Sequence, residues 1–159
     1  MILYHGSNLI IPRPRLVPQN RYLDFGYGFY TTTNRAQAIS FADKVTRRRR
    51  EGTPSVSIYE LEEDAFSTCQ VLRFSDADVS WLDYVSDNRS GAYTGPQHDI
   101  IFGPVADDDV YTTLTLYTSG VFTKEQTLEA LKIKKLFDQL VLATEKSLSY
   151  LHFIGTVPQ

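Results

Sequence analysis

Three short segments hold the residue types from which a binding or catalytic site could be built. Leu3-Tyr4-His5-Gly6-Ser7 sets an imidazole and a hydroxyl on either side of a glycine at the end of an apolar stretch. A neutral imidazole carries one donor and one acceptor nitrogen, so it can orient a hydroxyl, and a glycine leaves its main chain open to close approach. Asp24-Phe25-Gly26-Tyr27-Gly28 has two glycines two apart, the mark of a turn with backbone angles or contacts that other residues resist. Phe29-Tyr30-Thr31-Thr32-Thr33 follows at once, aromatic and β-branched. With ten tyrosines and nine phenylalanines, such rings either fill a core or serve as platforms for planar ligands.

Other clusters have simpler readings. Asp107, Asp108 and Asp109 open a helix, where acidic residues favour the positive end of the dipole. As metal ligands they would need imidazoles, and neither His98 nor His152 has a partner at a familiar spacing, so no metal is expected. Cys69 lies in a stretch read as an apolar strand and is expected to be a buried thiol. Arg47 to Arg50 close a helix, complementing its C-terminal dipole, with an anion- or partner-binding patch as the alternative.

The elements that must position these residues can be read from periodicity. Met1 to His5 is a strand stopping in the Gly6-Ser7 turn, and Pro12, Pro14 and Pro18 punctuate an irregular surface arm. Phe29 to Thr33 is a strand, Asn34 an N-cap, and Ala36, Ala38, Ile39, Phe41 and Ala42 recur at helical intervals. Ser55 to Leu61 and Cys69 to Phe74 read as strands, and Asp76 to Asp87 as an amphipathic helix around Trp81, Leu82 and Val85. Asp99 to Pro104 is a buried strand, and Val110, Leu114 and Tyr117 mark a helix that Gly120 ends. Thr123 to Gln126 forms a capping box for another helix; Phe137 to Ala143 is a strand, Thr144 to Ser149 a helical turn, and Tyr150 to Ile154 a last strand. Strands at both ends with helices between give an α+β class in one domain over residues 1–159.

The totals agree with that picture. At 159 residues and 42% hydrophobic content the chain can hold one core without staples. A net charge of −3 announces neither nucleic acid nor an anionic membrane. The single cysteine excludes an intramolecular disulfide framework and points to a reducing cytoplasm. No signal peptide and no membrane partner are expected, since no apolar run approaches the roughly 20 residues of a spanning helix.

Taken in order, these segments resemble the diphtheria-toxin-like branch of the ADP-ribosyltransferases, which includes the poly-ADP-ribose polymerases. Within it they are similar to small bacterial proteins encoded like toxins of toxin-antitoxin pairs. The His-Gly-Ser that ends the first strand is matched by His5-Gly6-Ser7, and the Gly-x-Gly-x-Tyr segment by Gly26 to Tyr30. An aromatic eleven places after that tyrosine is matched by Phe41, and the likeness continues through Asp99 to Asp108 and through Asp138-Gln139.

The resemblance implies split antiparallel sheets with flanking helices and an NAD site made by His5, Gly6, Ser7, Gly28, Tyr30 and Phe41. It implies that Tyr30 and Phe41 flank the nicotinamide, that the Gly6 main chain pairs with its carboxamide, and that His5 donates to a ribose hydroxyl. His5, Tyr30 and Gln139 would form a His-Tyr-Gln variant of the family's His-Tyr-Glu triad. A glutamate there holds a ribose hydroxyl and favours the cationic transition state, whereas the amide of Gln139 brings no charge; this bears on activity and not on binding. The expected function is mono-ADP-ribosyl transfer, a glycosyltransferase chemistry, by a toxin with a small antitoxin partner and an unspecified macromolecular acceptor. NAD hydrolysis and silent NAD or ADP-ribose binding are the alternatives.

Overall fold

Leu3 and Tyr4 begin an alternation that carries the opening strand to Ser7, two residues beyond the expected stop. The computed structural model describes residues 1–17, 23–105, 108–132 and 136–158. In chain order the elements are β1 (Ile2–Ser7), β2 (Phe29–Thr31), α1 (Arg35–Arg49), β3 (Ser55–Leu61), α2 (Ala65–Thr68), β4 (Val71–Arg73), α3 (Val79–Ser90), β5 (Ile100–Val105), α4 (Asp108–Thr118), α5 (Lys124–Lys132), β6 (Phe137–Leu142), α6 (Glu145–Leu148) and β7 (Leu151–Thr156). The class is mixed α+β, with one sheet in the order β1-β3-β7 and a second in the order β2-β6-β5-β4.

The helix ends follow local chemistry. Asn34 caps α1 by accepting the Gln37 N–H at 3.0 Å, and the helix closes at Arg50 in the left-handed region, φ 56°. Asp78 caps α3 by accepting the Trp81 N–H at 2.9 Å, which is why that helix starts at Val79 and not at Asp76. The reciprocal bonds of Thr123 and Gln126 form the capping box expected before α5.

Two expectations need correction. Cys69 is not inside a strand: the unforeseen four-residue α2 ends on it, and its N–H bonds back to the Ala65 carbonyl. The thiol is nonetheless buried, 8% exposed, and burial pushes its pKa up. A single turn is too short to show helical periodicity in sequence. Nor are the sheets wholly antiparallel, because β4 and β5 pair in parallel. The 12-residue helix α3 lies between them in the chain and provides the crossover that parallel strands require.

Most buried apolar side chains form two layers, and Ala38, Ala42 and Val56 make a third, smaller cluster between α1 and the first sheet. Leu3, Phe29, Tyr59, Leu61, Ile100, Leu140 and Leu142 pack between the sheets. Phe25, Trp81, Leu82, Val85, Ile101, Leu114 and Val141 pack between the second sheet and its helices. β6 serves both layers by alternation, Leu140 and Leu142 to one and Val141 to the other. Trp81, fully buried, spends its indole N–H on the Pro104 carbonyl at 2.9 Å. No helix among the described residues is long and apolar enough to cross a membrane.

Candidate functional site

The two sheets meet at one bridge and then part. Tyr4 and Thr32 exchange both main-chain hydrogen bonds, at 2.8 and 3.0 Å, and no second rung follows between β1 and β2 among the described residues. Residues two apart on a strand aim their N–H and C=O groups the same way. The main chain of Gly6 therefore points across the split towards β2, and that of Tyr30 points back towards β1.

His5 spans this split. Its Nδ1 lies 2.6 Å from the Tyr30 carbonyl oxygen, and because a carbonyl only accepts, Nδ1 carries the proton. The ring also stacks on Phe29, 4.4 Å between centroids and 25° between planes, while Phe29 meets Tyr59 edge-on. Burial lowers the His5 pKa from 6.5, the bond to the Tyr30 carbonyl opposes that, and the charge of Arg49 adds to the lowering. The imidazole is thus neutral at pH 7, and its free nitrogen, Nε2, is an acceptor. The imidazole therefore offers one acceptor nitrogen to a hydroxyl or N–H donor.

The Tyr30 hydroxyl donates to the Gly26 carbonyl at 2.5 Å and accepts the Phe25 N–H at 3.1 Å, so the tyrosine closes its own turn. Gly26 sits at φ 76°, where a side chain would be strained. Gly28 has a different reason to be glycine: a Cβ there would lie 2.5 Å from Val141 Cγ1 and 2.9 Å from the Leu142 carbonyl. Its missing side chain lets the turn lie on β6. Gly6 likewise is explained by α1, since a Cβ would come 2.1 Å from the Ala38 carbonyl oxygen.

Gln139 lies on the strand next to Tyr30. Tyr30 pairs with Val141, and Gln139, two residues along, shares that face of β6. It is 5% exposed, and its Nε2 is buried without a hydrogen-bond partner. A buried amide left so costs about 1–3 kcal/mol, and a ligand oxygen would satisfy it. Its neighbour Asp138 faces the other way, accepting from the Thr33 N–H at 2.9 Å and from the Thr32 hydroxyl at 3.2 Å, and so ties the β2–α1 corner to β6.

Ser7 is 6% exposed and its hydroxyl donates to Asn8 Oδ1 at 3.3 Å. Phe41 is 48% exposed on α1, beside Ala42, whose main chain packs on Gly6. The structure thus joins His5, Gly6 and Tyr30 directly and Gln139 through the β2–β6 ladder, while Phe41 is connected only through its helix. The roles of Phe29, Asp138 and Asn8 went unseen in the sequence reading. For Phe29 the signal was there, because alternation along β2 places it on the face opposite Tyr30.

Asp107 lies outside the described residues, and among those described no cluster of three or more His, Cys, Asp or Glu could hold a metal ion. His98 Nδ1 is buried without a partner, and His152 pairs with Glu62. A groove of about 380 Å³ opens between α1 and the C-terminal Val157 and Pro158, with Ile39 and Val56 in its walls and none of His5, Tyr30 or Gln139. No curated protein and no solved structure matches the chain. Residues 1–153, a span that includes His5, Tyr30 and Gln139, match the model of a family described as "Protein of unknown function (DUF3990)", and the chain belongs to that family.

Proposed function

We propose that this protein is an NAD-binding mono-ADP-ribosyltransferase with an ADP-ribosyltransferase-like fold, acting in the bacterial cytoplasm as the toxin of a toxin-antitoxin pair. The observation that carries the reading is the split between β1 and β2. There a fixed neutral imidazole and the main chain of Gly6 face β2, and β6, the other neighbour of β2, carries the orphaned amide of Gln139.

Each group fits part of NAD. The N–H and C=O of Gly6, side by side on a strand edge, complement a carboxamide, which needs one acceptor and one donor. Tyr30 and Phe41 would flank the nicotinamide ring, each stack contributing on the order of 1 kcal/mol beyond burial. His5 Nε2 would accept from a ribose hydroxyl, and Gln139 would present its amide to the same sugar. NAD supplies a glycosidic bond whose cleavage leaves an oxocarbenium-like ribose, and so catalysis rests on holding ring, sugar and acceptor in line.

Gln139 favours slow chemistry. It has the polarity to hold a hydroxyl but no charge to set against the developing cation; loss of one preorganised electrostatic partner costs about 2.7–4 kcal/mol in an oxyanion hole. The same residue supports a second reading, a catalytically silent NAD or ADP-ribose module. Incubation with labelled NAD separates the outcomes. Label transferred to a macromolecule identifies a transferase, free nicotinamide without transfer a glycohydrolase, and saturable binding without either a silent module. Absence of NAD binding ends the proposal. Induced expression should arrest growth and Gln139→Leu should relieve it; a harmless wild type without its small antitoxin partner removes the toxin assignment.

A further inference from the structure

Arg49 reaches back from the last turn of α1 to the end of β1, where its Nη1 donates to Asn8 Oδ1 at 3.0 Å. Asn8 is a rigid anchor, only 3% exposed. Its Nδ2 donates to the Glu51 carbonyl at 3.1 Å, and its own carbonyl accepts the Thr53 N–H at 2.9 Å. Gly52, at φ 78°, packs so closely that a Cβ would sit 2.1 Å from the Asn8 carbonyl oxygen.

The guanidinium held in this way lacks a countercharge. Its hydrogen-bond partner, Asn8, is a neutral amide, and no carboxylate pairs with Arg49 among the described residues. A guanidinium has five N–H donors, and its fork matches a phosphate. Asn8 stands just past the end of β1, three residues on from His5, about 10 Å at strand spacing. The charge of Arg49 is felt at His5, as the smallest of the causes acting on its pKa, after burial and the bond to the Tyr30 carbonyl. Arg47, Arg48 and Arg50 extend the basic run, but no comparable hydrogen bond to a buried residue fixes their side chains among the described residues.

We propose that Arg49, placed by Asn8, binds the pyrophosphate of a dinucleotide whose nicotinamide ribose sits at His5. The inference rests on the reading of the split as an NAD site and adds to it the residue that recognises the phosphates. A dinucleotide carries its phosphates one sugar away from the reacting ribose, a separation that Asn8, just past the end of β1 and three residues on from His5, can meet. A paired arginine could not serve without losing its carboxylate; this one has donors to spare.

The test is calorimetric titration of wild type, Arg49→Ala, Arg49→Lys and, as a control, Arg48→Ala with NAD and with nicotinamide riboside, which lacks phosphate. Loss of the charge-assisted contact should weaken NAD binding to Arg49→Ala about tenfold or more, with Arg49→Lys intermediate. Nicotinamide riboside should bind both proteins alike, Arg48→Ala should match wild type, and the salt dependence of NAD binding should be shallower in Arg49→Ala. Unchanged NAD binding by Arg49→Ala overturns the assignment and leaves the NAD site standing. Equal loss of NAD and nicotinamide riboside also overturns it, because Arg49 would then act only by bracing Asn8. If wild type binds neither ligand, the NAD reading fails first and this inference with it.

Discussion

Two seams between neighbouring strands behave in opposite ways. Between β5 and β6 six residue pairs are in register, from Ile100 opposite Leu142 to Val105 opposite Phe137, and apolar layers lie on both faces. Between β1 and β2 a single bridge joins Tyr4 to Thr32, and past it a side chain, His5, takes the carbonyl that a strand partner would have taken. The closed seam satisfies its own polar groups and so stabilises. The open one keeps main-chain donors and acceptors aimed across a gap, which is where a ligand with a planar polar edge can bind. Stability and recognition are thus assigned to different seams, and variants should separate them.

The largest expected effect lies at the closed seam. Trp81→Ala empties a fully buried indole site and strands the Pro104 carbonyl, and should lower unfolding free energy by about 3–5 kcal/mol in denaturant titration. The folded fraction should still bind NAD with unchanged affinity; a collapse of binding would mean that the seams are not separable. Gly6→Ala should strike both properties, since its Cβ meets the main chain of α1 at 2.1 Å. A loss of about 1–3 kcal/mol is expected together with loss of NAD binding.

Gln139→Leu sharpens the contrast further. Removing the orphaned amide should raise stability by about 1 kcal/mol while weakening NAD binding, which a melting curve and a titration would report with opposite signs. A drop in stability would show that the amide is satisfied within the fold.

The smallest effect is the pH response of His5. Its native pKa lies below 6.5, so between that value and 6.5 the unfolded chain binds more protons than the folded one. Stability is therefore fully present above 6.5 and is lost as pH falls towards the native value. Denaturant titrations of wild type and His5→Gln over about pH 5 to 8 should differ in slope only in that window. NAD affinity should fall only at lower pH, as pH drops through the native value itself, because protonation of the folded imidazole turns Nε2 from acceptor to donor.

Local chemistry made much of this legible in sequence. Ser55 to Leu61 was readable as a strand to the residue, and the caps at Asn34 and Thr123 were exact, because capping and alternation depend on near neighbours. Gly28 shows the limit. The atoms that forbid a Cβ there belong to Val141 and Leu142, more than a hundred residues away, a reason for glycine that its own neighbours in sequence do not carry. The parallel pairing of β4 with β5 was hidden for the same reason, since direction is a property of two strands.

By itself, then, the chain order of residues determined where strands and helices form, how each is capped, and which side chains could do chemistry. Tertiary structure alone decided that β1 and β2 separate after one bridge, that His5 is a neutral acceptor, and that Arg49 is held at Asn8 with no carboxylate paired to it among the described residues. Those properties depend on which groups are buried against each other and which carbonyls are left without strand partners. Such pairings are long-range, and no local pattern encodes them.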